Sequence, residues 1–422
     1  MRGVELLDRL GVGFVGAGFV TQTFHIPGWT GVRHADINGI CDLDEERAKK
    51  AAKKAKDLRV GDPETYTNVQ DMVEDDDIDA VWIAVPNYAR LPVLDDIVEE
   101  VKQGRSDLIG LACEKPLART VGEAQDMIDL IDDADLLHGY LENQRFAPSI
   151  LKGKEILWRR GAKNTGRPYF VHCAEEHSGP HEPWFWDGEK QGGGVLNDMG
   201  CHSLEASRFL LTGPEEEKKD LKPRTVTGEI AALKWIRAGY VEQLEEVNFK
   251  DSPSEDFGKG SVVYELPSGE LGVGDITVSW SFMGPGLRLR FELHGPEYSM
   301  KINSLDSELK LFFSREVKGK AGEDLVEKEE AEQGQMPVVP EESISYGYRN
   351  EDRHMVESFS NEKMPEENWN DGLFIVKLLM ANYMAAEKGK RLEFPPRGLD
   401  EYVPKVAQGT WNPQDMAKGH KE

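Results

Sequence analysis

Three ionisable side chains stand out by position. Lys115 lies between Glu114 and Pro116 just after an apolar run, and Asp198 and His202 stand four residues apart beyond the glycines at 192–194. On a helix that spacing puts both on one face. A neutral imidazole, titrating near physiological pH, is suited to taking a proton, and an ammonium to stabilising a developing alkoxide. Plainer readings compete. A lysine before proline is an ordinary turn residue, and an Asp/His pair is a helix cap or a metal-site candidate. No cysteine or further carboxylate at ligand spacing supports a metal.

A second signal lies near the start of the chain. Gly16 and Gly18, followed by Phe19, Val20 and Thr21, close the apolar run at 11–15. Gly16 permits a tight turn, and Gly18 lets the backbone approach a pyrophosphate. The N–H groups that open the following helix stabilise its charge. Thr21 stands where a third glycine or alanine is usual, which puts the packing of helix on strand in question. Asp42 ends the next apolar run, 26 residues beyond Gly16, against a usual spacing of about 20. A carboxylate there accepts hydrogen bonds from ribose hydroxyls and repels a 2′-phosphate, and no arginine directly follows it. The combination predicts a dinucleotide site that takes NAD in preference to NADP. The competing reading makes Asp42 a cap for the next turn.

The elements that must position these groups follow from the hydrophobic pattern. Strand-like runs at 11–15, 36–42, 79–85 and 108–113 alternate with helical stretches at 45–58, 91–103 and 120–131. That alternation predicts an α/β Rossmann domain with a parallel sheet covered on both faces. Pro86-Asn87 and Glu114-Lys115-Pro116 then fall at the carboxyl ends of strands, where such sheets bind ligands. Beyond about residue 152, runs at 169–175, 226–233, 260–266, 270–282 and 287–292 are β-rich. They predict an α+β domain with a large, mostly antiparallel open sheet, one helix at 200–211 and a long helix at 372–389. The charged stretch at 314–342 reads as an exposed excursion. The expected division is 1–148, 149–395 and a tail at 396–422.

Composition narrows the function. A length of 422 residues favours two domains, and a net charge of −26 argues against nucleic acid. No stretch approaches the roughly 20 apolar residues that span a bilayer. The apolar run at 10–20 after Arg9 imitates a secretory signal, but its four glycines fit a phosphate-binding turn better. Cys41, Cys113, Cys173 and Cys201 lie far apart, with neither disulfide-framework nor zinc spacing. A cytoplasmic protein is expected.

The Gly16/Gly18 turn, Pro86-Asn87, Glu114-Lys115-Pro116, the segment 192–202 and Asp371-Gly372-Leu373 occur in an order that resembles the glucose–fructose oxidoreductase / inositol dehydrogenase / MocA (Gfo/Idh/MocA) family. The resemblance implies that Lys115, Asp198 and His202 meet beside a nicotinamide, and that Pro86, Asn87, Glu114 and Lys115 contact the cofactor. It implies hydride transfer between nicotinamide and a secondary hydroxyl of a sugar, polyol or glycoside. Either His202 or Lys115 is then the main proton acceptor, with Asp198 orienting His202 or the substrate. It also implies a cis Lys115–Pro116 peptide, and a homodimer or homotetramer formed through the sheet domain. Asn143, Arg145, His177, His181, Trp184 and Trp186 are candidate substrate contacts. Arg145 reads equally as a structural ion-pair residue, and the tryptophans equally as core or interface. Arg90 departs from the family, standing where a histidine often follows the Pro-Asn pair, and the tail is long. Two rival functions stay open: a glycosidase or epimerase with permanently bound NAD, and a non-catalytic sugar or nucleotide sensor.

Overall fold

Strand β1 (Leu10–Val15, LGVGFV) is buried at every position, as a strand covered on both faces must be. The computed structural model describes residues 9–180, 182–244, 247–306, 309–313, 334–338 and 341–414. Around β1 stand β2 (Ala35–Cys41), β3 (Gly61–Tyr66), β4 (Ala80–Ile83), β5 (Gly110–Glu114) and β6 (Leu137–Leu141). They form a six-stranded sheet in the order β3-β2-β1-β4-β5-β6, and every pairing is parallel. The order reverses direction between β1 and β4, the crevice where such sheets bind ligands. Between β2 and β3 runs the helix Glu45–Asp57, capped by Asp44, whose side chain accepts from the N–H groups of Glu46 and Arg47.

By compactness, the first unit comprises residues up to 117 together with Glu123–Pro148 and Glu342–Leu373. The last segment thus returns to the Rossmann unit, whereas the sequence pattern groups it with the sheet domain. The reason is visible in the core. Helix Tyr348–Ser360 sends Met355, Val356 and Phe359 into the cluster that holds Phe14, Trp29 and Trp82. The rings of Phe14, Trp29, Trp82 and Phe359 meet edge-on or tilted at 5.4–6.1 Å, within the range that favours aromatic pairs.

The second unit is built on β7 (Phe170–Glu176), β8 (Lys222–Ala231), β9 (Phe257–Glu265), β10 (Leu271–Ser279), β11 (Arg288–Gly295) and β12 (Tyr298–Asn303). Two short strands follow as a pair, β13 (Leu309–Phe313) and β14 (Gly334–Val338), and β15 (Leu392–Glu393) edges the main sheet. The main sheet runs β12-β11-β7-β10-β9-β8-β15. Only its β7–β10 pairing is parallel; the others are antiparallel. One face is covered by helix Val195–Leu211, buried along its whole length. Glycines on the strands let it approach: a Cβ at Gly274 would stand 2.7 Å from Ser207 Oγ, and one at Gly258 3.1 Å from Leu196 Cβ.

Two expectations change here. The covering helix starts at Val195 and not at 200. Within the excursion expected at 314–342, 334–338 is a strand paired with 309–313, while 314–333 lie outside the described residues. In the tail, Leu399, Val406 and Trp411 are buried. Among the described residues, no helix is long and apolar enough to cross a membrane.

Candidate active site

The glycine turn is held from three sides. Gly16 adopts φ +98°, and a Cβ there would stand 2.5 Å from the Ala84 carbonyl oxygen, so only glycine fits. Its N–H donates to the Cys41 carbonyl at 2.8 Å. Thr21, the departure from the usual third glycine, is fully buried, and its hydroxyl donates to the Gly16 carbonyl at 2.6 Å. It opens a π-helical turn, Thr21–His25. The substitution thus closes the loop by a hydrogen bond. At Gly18 the reverse holds, with no heavy atom within 4 Å of a Cβ position. Phe19 is exposed beside this open space, and Val20 opens the π turn as its cap. Asp42, directly after β2, accepts from Ala17 N–H at 2.8 Å and from Asp44 N–H at 2.9 Å. Arg47 approaches the same carboxylate at 3.6 Å. A fixed glycine loop beside open space, with a carboxylate at the end of the second strand, fits a dinucleotide.

At the carboxyl ends of β4 and β5 the chain turns at Pro86-Asn87 and at Glu114-Lys115-Pro116. Asn87 and Glu114 are buried, and the Lys115–Pro116 peptide is cis. Arg90 ties the two turns together. It is buried, and its guanidinium donates to the carbonyls of Val85 at 3.2 Å, Lys115 at 2.9 Å and Pro116. The Lys115 N–H in turn donates to Glu114 Oε2 at 3.1 Å. The backbone of Lys115 is therefore held at both its N–H and its carbonyl. Burial opposes ionisation of Glu114, but His25, Lys115 and Arg90 outweigh it and hold the carboxyl below its ordinary pKa. The sequence marks Arg90 only as an oddity; its fork of donors is what three converging carbonyls require.

In the second unit, Asp198 and His202 are buried on the first turns of helix Val195–Leu211. That helix is capped from elsewhere in the chain. Glu255 Oε1 accepts from the N–H groups of Gly194 at 3.0 Å and Leu196 at 3.1 Å. The Tyr383 hydroxyl donates to Glu255 at 2.5 Å, and its oxygen accepts from the N–H groups of Gly194 and Asn197, both at 3.1 Å. A carboxylate and a phenol thus satisfy the donors that a helix start leaves open. Burial nevertheless pushes Glu255 up to about 7, against the lowering effect of these hydrogen bonds. No local sequence signal marks either residue, because capping residues are normally sought next to the helix.

The candidate substrate contacts are placed unevenly. In the Rossmann unit, Asn143 is buried and donates to the Tyr346 carbonyl at 2.8 Å. Arg145 pairs with Glu366 at 2.9 Å and Glu367 at 3.1 Å and lies over the Phe146 ring, the structural ion-pair arrangement. In the sheet unit, His177 Nδ1 accepts from Gly179 N–H at 3.0 Å. Trp184 is half-buried and stacks on Phe185. Trp186 is core, meeting Trp235 and Trp280 at 4.9 Å and Phe249 at 5.6 Å. His181 lies outside the described residues.

Similar proteins agree with this architecture. D-apiose dehydrogenase of Paraburkholderia graminis is 24% identical over 93% of this chain and 91% of its own. Levoglucosan dehydrogenase of Pseudarthrobacter phenanthrenivorans is 23% identical over 70% of this chain and 74% of its own. D-xylose 1-dehydrogenase (NADP(+)) of Haloarcula marismortui is 28% identical over 47% of this chain, and the match spans only 52% of that relative. In fold, the chain is similar to GenD2 from gentamicin A biosynthesis in complex with NAD, with a TM-score of 0.72 and 24% identity over 93% of this chain and 99% of that one. Residues 10–140 match the model of an oxidoreductase family with an NAD-binding Rossmann fold, and residues 161–301 match the GFO/IDH/MocA C-terminal domain. With both domain models matched in succession on the two units, the chain belongs to the Gfo/Idh/MocA family of oxidoreductases.

Proposed function

We propose that this chain is an NAD-dependent dehydrogenase that transfers hydride between nicotinamide and a secondary hydroxyl of a sugar, polyol or glycoside. The observation that supports this most is Lys115, fixed by Glu114 and Arg90 at the carboxyl edge of the sheet that also carries the Gly16/Gly18 turn. Gly16, Gly18 and the N–H groups of Phe19 and Val20 would hold the pyrophosphate, and Asp42 the adenosine ribose. Pro86, Asn87 and Glu114 would line the nicotinamide end. When bound, the nicotinamide supplies the hydride acceptor.

The rest is work for side chains. His202 accepts the hydroxyl proton, Asp198 orients it, and the Lys115 ammonium stabilises the alkoxide; the reverse assignment, with Lys115 as acceptor, uses the same three groups. His177 and the half-buried Trp184 are the proposed sugar contacts, since aromatic faces cover the C–H faces of pyranose rings. The names of the relatives, dehydrogenases of D-apiose, levoglucosan and D-xylose, support a sugar-like substrate. NAD is favoured because the Asp42 carboxylate stands where a 2′-phosphate would be repelled; Arg47 is half exposed and shared with Asp44. We place the protein in the cytoplasm as a homodimer or homotetramer associating through its main sheet, where β9 and β10 alternate buried positions with half-buried or exposed ones.

The test is a panel of sugars, inositols and glycosides followed by NADH formation, with NADP run in parallel. Lys115→Met is expected to cut kcat by about 10²–10⁴-fold, the usual span for a general acid–base group. Wild-type turnover in that variant would overturn the proposal, and a strong preference for NADP would overturn the role given to Asp42.

A further inference from the structure

Behind Lys115 lies a buried histidine that the proposed reaction does not use. His25, at the end of the π-helical turn Thr21–His25, is fully buried. Its Nε2 meets Glu114 Oε1 at 3.0 Å, and its Nδ1 meets Asp352 Oδ1 at 2.9 Å. The same Asp352 oxygen accepts from Trp82 Nε1 at 3.1 Å. With a carboxylate at each ring nitrogen, the imidazole is a donor on both sides, which is the doubly protonated cation. Burial alone would lower its pKa, but Asp352 and Glu114 carry it up to about 10. The other oxygen of Glu114 is the one that accepts the Lys115 N–H. Helix Tyr348–Ser360 supplies Asp352 and, beside it, Glu351, whose two carboxylate oxygens are buried without a hydrogen-bond partner.

We propose that His25 is a positioning residue for Lys115, holding Glu114 in the orientation that fixes the lysine backbone, with Asp352 bracing His25 from behind. The inference rests on the reading of Lys115 as a reacting group. The geometry is a chain of single contacts: Asp352 to His25, His25 to Glu114, Glu114 to the Lys115 N–H. Arg90 holds the lysine carbonyl from the opposite side. The chain also acts electrostatically. Glu114 is coupled to the charge of Lys115, and the imidazolium offsets part of the carboxylate field that the lysine feels. Without that cation, Glu114 favours a protonated Lys115 more strongly, and the pKa of the lysine rises. A merely structural histidine would change stability and leave that titration alone.

His25, Glu351 and Asp352 also offer atoms within 4.8 Å of one another, a spacing that a metal ion could use. Both ring nitrogens of His25 are committed to carboxylates, one of them outside that group, so the relay accounts for more of the contacts.

The experiment compares His25→Gln and Asp352→Asn with Lys115→Met in the full chain. Asp352→Asn keeps the shape of the brace while removing its charge, and it tests the idea even where His25→Gln fails to fold. Expected are folded variants that bind NAD as the wild type does, with kcat down about 10-fold or more, the scale on which small misplacements act. The limb of the kcat–pH profile that reports Lys115 should move upward by about half a unit or more in His25→Gln. It should not move upward in Asp352→Asn, which removes a carboxylate and not a cation. If Lys115→Met is inactive while both other variants keep wild-type kcat and the profile of His25→Gln is unmoved, the positioning role is wrong and the proposed function stands. If Lys115→Met turns over normally, the proposed function itself has failed. A stoichiometric divalent metal in the purified protein, lost on His25→Gln, would also overturn the relay.

Discussion

Buried ion pairs occur in both units, Arg208 with Glu205 among them in the sheet unit, but His25 and Glu255 are held by opposite means. In the Rossmann unit charge meets charge: the His25 imidazole stands between Glu114 and Asp352, and Arg145 meets Glu367. In the sheet unit a lone carboxylate, Glu255, is met by backbone N–H dipoles and a phenol. The difference shows in the pH at which each arrangement gives way. For His25 the folded pKa, about 10, lies above the ordinary 6.5. Its stabilisation is complete below 6.5 and is lost as pH rises through 10. For Glu255 the folded value, about 7, lies above the ordinary 4.5. Its contribution is complete below 4.5 and is lost as pH rises through 7. A paired cation keeps its state throughout the neutral range; a carboxylate met by dipoles alone changes state within it.

The largest effect should come from Arg90→Met, which breaks the comparison on its charged side. The variant removes three charged-donor hydrogen bonds to carbonyls at once and leaves one buried and two part-buried acceptors without their donor. We expect a loss of about 3 kcal/mol, the upper range for bonds to a charged group, and a fall in kcat of about 100-fold from a loosened Lys115. Urea melts and steady-state rates check it. A loss below about 1 kcal/mol would mean that water replaces the guanidinium and that the clamp is unnecessary.

The same contrast governs what the sequence reveals. Strands whose two faces are both covered, such as β1 and β4, read as continuous apolar runs, and the sequence pattern predicts them. β3, with the sequence GDPETY at the sheet edge, does not look like a strand, because an edge needs no apolar face and tolerates proline. Helix Tyr348–Ser360 is hidden for a different reason. Its buried positions, Tyr348, Glu351, Asp352, Met355, Val356 and Phe359, follow a helical period, but two are acidic and break the apolar signal. The carboxylate that braces His25 thus disguises its own helix. Lys115, Asp198 and His202 are legible through their motifs and local spacing. Glu255 and Tyr383 are not, since the helix they cap lies 59 and 186 residues away from them in sequence. The glycines at 192–194 also draw the expected helix start to 200, although those distant caps let it begin at 195.

Glu255→Gln sharpens the sheet side and has the next effect in size. The amide oxygen can still accept from Gly194 and Leu196, so the cap survives without a titrating charge. Wild-type melting temperature should fall as pH rises between about 4.5 and about 7, the window set by the ordinary and raised values of this carboxyl. In the variant that part of the fall should vanish, so its stability relative to the wild type should rise between about pH 4 and about pH 8. Parallel melting curves for the two proteins would refute the assignment of Glu255 as the titrating group.

The smallest effect tests whether the Rossmann unit also uses neutral dipoles where no charge is present. Thr21→Val keeps shape and burial but removes the hydroxyl that donates to the Gly16 carbonyl. Losing one neutral hydrogen bond at a buried site should cost about 1 kcal/mol, seen as a lower urea midpoint with an unchanged slope. Because neither partner titrates, the cost should be the same at pH 5 and pH 9, unlike that of Glu255→Gln. The loop it closes is the proposed pyrophosphate cradle, so the affinity for NAD should weaken while kcat at saturating cofactor stays near wild type. A drop in kcat without a change in NAD affinity would contradict the placement of Thr21 as a loop closure, because the defect would then lie at the reacting end of the site.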